Sequence, residues 1–175
     1  NLSCNNHLGV REGQLLPELK DMMFYNKGWH NDVSYSWEKI KKIWMKYWDQ
    51  RKYILMEQSD TNIMRVPEIK NVFDNIFFLG MVRNPYAHVE GLIRRNGVTT
   101  EFASEFALRC LRYQKKNKEN EKNSLFISYE DLCDNKDESV EKIKEFIPEL
   151  GTIDSDIKFS AHNFKTKGKM KIQNL

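Results

Sequence analysis

Three cysteines in 175 residues, Cys4, Cys110 and Cys133, are too few and too widely spaced for a disulfide framework or a CxxC zinc pattern. A reducing, cytoplasmic setting is the expectation. No apolar run approaches the roughly 18 residues that a membrane-crossing helix needs, and no signal-peptide pattern opens the sequence. Charge of one sign is also lacking. Lysine plus arginine number 28 against 25 acidic residues, a net charge of +3. That balance is too mild to argue for a nucleic-acid binder, although it permits a local basic pocket for an anionic ligand. His30, His88 and His162 show no metal-ligand spacing, so no metal is expected. No internal repeat is visible, and G-x-x-x-x-G-K-[ST] occurs nowhere.

What is present suits one folded domain over residues 1–175, with 40% hydrophobic and 30% charged residues. "YILM" (Tyr53–Met56), "IFFLGMV" (Ile76–Val82) and "SLFIS" (Ser124–Ser128) are nearly continuous apolar runs. They predict buried strands of a parallel sheet covered on both faces. "HLGVR" (His7–Arg11) is a further candidate strand. Trp37, Ile40, Trp44, Tyr47 and Trp48 share one helical face, which predicts an amphipathic helix over Ser36–Asp49 with its tryptophans in the core. The same periodicity predicts helices over Thr99–Lys116 and Lys136–Pro148, the latter with an Asn135/Glu138 capping box. Pro67 should start or kink a helix that ends near Phe73. Strands alternating with helices give an α/β layered fold with right-handed crossovers. "KKNKENEKN" (Lys115–Asn123) reads as a solvated helix end and loop.

The segment "GMVRNPYAHVEGLIRR" (Gly80–Arg95) places an arginine at the carboxyl end of an apolar strand. Asn84 and Pro85 then form a favourable helix start, an N-cap followed by proline at the first position. Ligands of open α/β sheets bind at the carboxyl ends of strands, where helix N-termini direct backbone N–H groups at anions. Arg83 can hold a phosphate there bidentately, or it can pair with a carboxylate and lock the turn. Arg94 and Arg95 lie three turns along, where a helix C-terminus favours cations at the surface. Tyr129-Glu130-Asp131 reads as the cap of a helix near Leu132.

Four segments in order resemble the sulfotransferases that use 3′-phosphoadenosine 5′-phosphosulfate (PAPS). "FFLGMVRNPYAHVEGLIRR" is similar to their 3′-phosphate-binding strand and helix. "ILMEQSDTNIMRVPEIKNVF" resembles their Glu-Lys-Ser/Thr-Pro strand and the helix after it. "LFISYEDLCDNKDESVEKIKEFI" resembles their strand, Tyr-Glu-Asp-Leu turn and helix. "REGQLLPELK" resembles the acidic segment of the carbohydrate and prokaryotic members. The resemblance implies a three-layer α/β/α sandwich around a central parallel sheet, like that of P-loop NTPases and truncated at both ends. It implies sulfuryl transfer from PAPS, as co-substrate, to a hydroxyl or amine of a carbohydrate or other small-molecule acceptor.

By that resemblance Arg83 binds the 3′-phosphate and Glu12 is the general base; the alternative for Glu12 is a surface glutamate beside Arg11. Two positions depart from the family. Gln58 stands for its lysine, and Gly91 for a serine that contacts the 3′-phosphate, a loss that Arg94 or Arg95 would make good. "NLSCNN" resembles the end of the first helix, so a 5′-phosphosulfate loop is expected before Asn1 in a longer parent protein, and catalysis is expected of that parent and not of this fragment alone. "KFSAHNFKTKGKMKIQNL" resembles the family's late basic loop, in which Lys165, Lys167 and Lys169 would reach phosphate; a flexible basic tail is the other reading. Two alternatives stand beside a sulfotransferase: a P-loop nucleotide kinase, and a non-catalytic nucleotide-binding relative.

Overall fold

A computed structural model describes residues 2–4, 12–25 and 28–154. Its strands are β1 (Leu2–Cys4), β2 (Ile54–Met56), β3 (Phe78–Val82) and β4 (Ser124–Ser128). Its α-helices are α1 (Trp37–Tyr47), α2 (Val66–Lys70), α3 (Pro85–Asn96), α4 (Thr100–Asn120), α5 (Tyr129–Asp134) and α6 (Lys136–Phe146). β1 pairs in parallel with β2, and β3 in parallel with β4, with Phe78 opposite Ser124 and Val82 opposite Ser128. Helices lie between successive strands, so the chain is α/β with parallel pairing. The expected single central sheet is not seen among the described residues, whose strands form two separate pairs.

Two expectations about the strands are corrected. Leu2–Cys4 is a strand and not the end of a helix, because these residues pair with β2. Ser3 Oγ also accepts the Asp49 amide at 2.9 Å, which ties β1 to the end of the α1 region. The proposed strand His7–Arg11 lies outside the described residues. β3 is not covered on both faces either. Leu79 and Met81 are 51% and 50% exposed, while Phe78, Gly80 and Val82 on the other side are half-buried. α4 packs on both β3 and β4, whereas α6 packs on β4, and the apolar run at β3 exceeds what the helices cover.

The core is built on α1. Trp37, Ile40, Ile43, Trp44 and Trp48 are buried with Leu16, Leu19, Met23 and Ile69. Trp44 meets Trp37 and Trp48 edge-on, with ring centroids 6.0 and 5.8 Å away, and stacks on Phe73 at 5.9 Å. Each such side chain contributes about 1.5–3 kcal/mol through burial, and the edge-on pairs add to that. The tryptophan face is therefore core, as its helical spacing predicts. Leu55 of β2 and Phe78 of β3 pack on this one cluster, which links the two strand pairs.

Arg65 was not anticipated as a core residue, yet it is only 3% exposed. Its guanidinium donates to the carbonyls of His30 at 2.6 Å and Val33 at 3.0 Å, and to Glu68 at 3.1 Å. It also lies over the Tyr35 ring. These partners offset a desolvation cost that would otherwise be several kcal/mol, on the order of that for any buried ion. Arg65 thus pins the 30–35 segment onto α2.

Some helix ends follow the expected local chemistry and others depart from it. Thr99 caps α4 through the Phe102 amide, and Gly97, at φ +64°, ends α3 in the left-handed region that glycine tolerates. α4 runs on to Asn120 within the polar stretch, and α2 stops at Lys70, short of Phe73. The Asn135/Glu138 capping box does not form. Asn135 closes α5 and opens α6 at once, at φ −130° and ψ 55°, without a capping bond from its side chain, and Glu138 pairs with Lys142 instead. The cap of α5 is Ser128, which accepts the Asp131 amide at 2.9 Å, rather than residues 129–131.

Gly80 shows how tightly the second strand pair packs. A Cβ there would lie 2.4 Å from the Phe126 ring. Gly80→Ala is expected to cost about 1–3 kcal/mol through overpacking, read as a lower urea midpoint. Phe126→Leu in the same chain should recover most of that loss; an undiminished loss in the double variant would refute the contact as its cause.

Candidate functional site

The pairing of β3 with β4 sets two chain segments side by side just after their last strand residues. Arg83 follows Val82, and Tyr129 follows Ser128. The Arg83 guanidinium carbon lies over the Tyr129 ring, 5.1 Å from its centroid. Glu130 accepts the backbone N–H of Asn84 at 3.0 Å, which locks the two strand-to-helix turns together. Asn84 in turn caps α3, accepting the amides of Tyr86 at 3.0 Å and Ala87 at 3.4 Å, with Pro85 in the first turn.

This arrangement changes two expectations. Arg83 is exposed rather than buried, because the strand end opens onto solvent. No described residue forms an ion pair with it, so the carboxylate staple is absent among the described residues. The helix N-terminus is not open to an anion either. Pro85 has no N–H, Asn84 Oδ1 takes those of Tyr86 and Ala87, and the Asn84 carbonyl takes that of His88. Any anion held here is held by side chains.

The side chains that converge are those of one α3 face. A Cβ on Gly91 would lie 3.7 Å from Arg83 Nη1, so position 91 borders the guanidinium directly. Arg95, one turn on, donates Nε–H to the Gly91 carbonyl at 3.3 Å. His88, one turn back, is half-buried, with its ring edge-on to Phe106 of α4 at 6.4 Å. Its pKa is held below the usual histidine value, first by burial and then by Arg83 and Arg95. Arg83, His88, Gly91 and Arg95 therefore form one cluster. Arg94 is directed away from it, in an i,i+4 bridge to Glu90 at 2.8 Å. The Tyr129 phenol is pushed up by burial and its neighbour Cys133, against the pull of Arg83.

Glu12 belongs to a second cluster, at the carboxyl end of β2. It is half-buried and hydrogen-bonds through Oε2 to Gln14. Glu57, the first residue after β2, accepts the Gly13 amide at 2.6 Å, the Ser59 amide and hydroxyl, and the Asn62 side-chain amide. Burial pushes its carboxyl above the ordinary range, while these donors act in the opposite sense. Gln58 is exposed, so the position aligned with a lysine carries an uncharged side chain facing solvent. No hydrogen bond or ion pair among the described residues links this cluster to that of Arg83. Lys165, Lys167 and Lys169 lie outside the described residues, as does His162. Among the described residues no three His, Cys, Asp or Glu side chains could hold a metal. Two surface hollows, of about 340 and 300 Å³, are bordered by Tyr35, Trp37 and Glu68 and by Lys70, Phe78 and Asn120, and include no candidate residue.

Sequence reasoning missed Tyr129 as the ring beneath Arg83, Glu130 as the tie to Asn84, and Gln14 as the centre of the Glu12 cluster. Only the first had a signal, since the Tyr-Glu-Asp stretch follows a strand that pairs with β3.

Glu57 makes stability depend on pH. A raised carboxyl binds its proton more tightly when folded than when unfolded, so stability falls as pH rises through the range just above the ordinary carboxylate value. Glu57→Gln should flatten that fall, because Asn62 Oδ1, buried without a partner, can accept the new amide once the Asn62 amide turns over. Urea midpoints from pH 4 to 8 test this; an equal slope in the variant would exclude Glu57 as the source. No protein-family model, curated protein or solved structure matches the chain.

Proposed function

We propose that the chain is the greater part of a PAPS-dependent sulfotransferase domain, of the three-layer α/β/α type, which acts on a hydroxyl or amine of a carbohydrate or small molecule. The observation that carries this reading is Arg83. It stands at a strand's carboxyl end without an ion-pair partner among the described residues, braced on Tyr129, with Arg95 beside it along α3. Two guanidinium groups flanking a glycine make a site for a phosphate monoester dianion, the group that distinguishes PAPS from simpler adenylates.

The geometry bears on the choice between Arg94 and Arg95. Arg95 bonds to position 91 itself, whereas Arg94 is engaged with Glu90. Arg95 is the residue placed to supply the contact that Gly91 lacks. In this reading Glu12 removes the acceptor's proton, which requires a carboxylate within hydrogen-bond reach of the acceptor. Sulfuryl transfer also calls for cations around the donor, and Gln58 provides none. That vacancy favours, as a second reading, a relative that binds the nucleotide without catalysis.

Calorimetry with adenosine 3′,5′-bisphosphate separates the assignments. Arg83→Ala should weaken binding at least about tenfold, the scale of one lost charge-assisted contact. Arg95→Ala should weaken it severalfold, and Arg94→Ala hardly at all. Equal effects of the two neighbouring arginines would overturn the placement, and unchanged affinity in Arg83→Ala would remove the phosphate site.

Because His88 sits beside both arginines, its protonation adds a third positive charge. The affinity of the unaltered chain should therefore decline less steeply below about pH 6.5 than that of His88→Gln, as the ligand itself loses charge. Superimposable pH profiles would exclude His88 from the cluster. In the longer parent protein Glu12→Gln should cut turnover with little change in nucleotide affinity; turnover equal to that of the unaltered parent would remove Glu12 as the base.

A further inference from the structure

Gln14 is fully buried, and its backbone N–H and each polar atom of its side chain are engaged. Its backbone N–H donates to Ser59 Oγ at 2.9 Å. Its side-chain oxygen accepts the Thr61 hydroxyl at 2.7 Å. Its side-chain nitrogen donates one proton to Glu12 Oε2 at 2.7 Å and the other to Asp60 Oδ1 at 2.9 Å. Among neutral side chains, only a carboxamide offers two donors and an acceptor in one plane. The two N–H bonds diverge by about 120°, so the carboxylate oxygens they hold are only ~5 Å apart.

We propose that Gln14 is a positioning residue for Glu12, fixing its carboxylate for proton removal from the acceptor. The proposal rests on the reading of Glu12 as general base. Glu12 lies in extended backbone ahead of the 3-10 turn Gly13–Leu15, where no regular element orients its side chain. The bond from Gln14 engages Oε2, and no described residue bonds to Oε1. One oxygen is thus held by the fold and the other is left for the substrate proton.

The support continues inward from Gln14. Ser59 and Thr61 hold it, and Ser59 Oγ donates to Glu57 at 2.5 Å. Glu57 also accepts the Gly13 amide, between Glu12 and Gln14 in the chain. The end of β2 thereby sets both the backbone and the side chain of the Glu12 segment. Asp60 occupies the second N–H and stops the amide from turning its oxygen toward Glu12, which would place two acceptors against each other.

The test uses the longer parent protein, which carries the 5′-phosphosulfate loop, with sulfate-labelled PAPS and a panel of mono- and disaccharides bearing free hydroxyl or amino groups. Gln14→Leu should lower kcat about tenfold, as expected for one bond to a charged group. Its KM for PAPS and affinity for adenosine 3′,5′-bisphosphate should stay within about twofold, since that site lies elsewhere. Thr61→Val, which removes only the donor behind Gln14, should lower kcat about threefold. In a Glu12→Gln background Gln14→Leu should cost nothing more, whereas a purely structural role would multiply the two losses.

Unchanged kcat in Gln14→Leu with an impaired Glu12→Gln overturns the positioning role and leaves Glu12 standing. Multiplied losses in the double variant overturn it too. If Gln14→Leu does not fold, Thr61→Val decides, and full turnover in it refutes the proposal. An unimpaired Glu12→Gln, or no transfer by the unaltered parent protein, sinks the underlying reading and this proposal with it.

Discussion

The parallel register of β3 on β4 is the constraint from which the basic cluster follows. With Val82 opposite Ser128, the next residues, Arg83 and Tyr129, must meet, and Glu130 comes within reach of the Asn84 amide. Shifting the pairing by one residue would put both on the wrong side of the sheet. Gly80 against Phe126 helps to hold that register, because the ring fills the space a side chain would need. Each turn is then closed by its own cap, Asn84 for α3 and Ser128 for α5. The guanidinium is positioned by backbone pairing and ring packing while its donors stay open to solvent.

The two clusters manage charge in opposite ways. Around Arg83, cations are gathered without a compensating carboxylate in contact among the described residues, and the protonated form of His88 is disfavoured, first by burial and then by Arg83 and Arg95. Around Gln14, carboxylates are gathered with neutral donors between them. Glu57 accepts bonds from two backbone amides, a hydroxyl and a side-chain amide, and none from a cation. Placing such charges in a folded chain costs stability, which the aromatic core on α1 offsets. Uncompensated charge of either sign at the ends of strands is a common property of binding and catalytic sites.

Much of the fold was legible because it depends on local rules. The apolar runs at β2, β3 and β4, the helical spacing of Trp37, Ile40, Trp44 and Trp48, and the Asn84-Pro85 helix start all report nearest neighbours along the chain. The misreadings share a cause. Leu2–Cys4, assigned to a helix end by the family resemblance, is a strand because β2 offers it a partner 52 residues away in register. Arg65, which nothing in the sequence singled out, is buried because the carbonyls of His30 and Val33 and the Glu68 carboxylate accept its guanidinium bonds. The expected capping box failed where one asparagine had to serve two helices.

The sequence by itself determined that this is an α/β chain with a tryptophan-rich core, and that Arg83 stands between a strand and a helix. Those features are set by periodicity, by β-propensity and by the capping chemistry of a few adjacent residues. Only the tertiary structure decided that Arg95 bonds to Gly91, whose position borders Arg83, that Tyr129 lies beneath Arg83, and that Glu12 is gripped by Gln14 at the end of β2. Each of these depends on which way a side chain points, or on a partner some 40 residues away. Strand register and helix rotation settle such pairings, and both are cooperative properties of the packed chain.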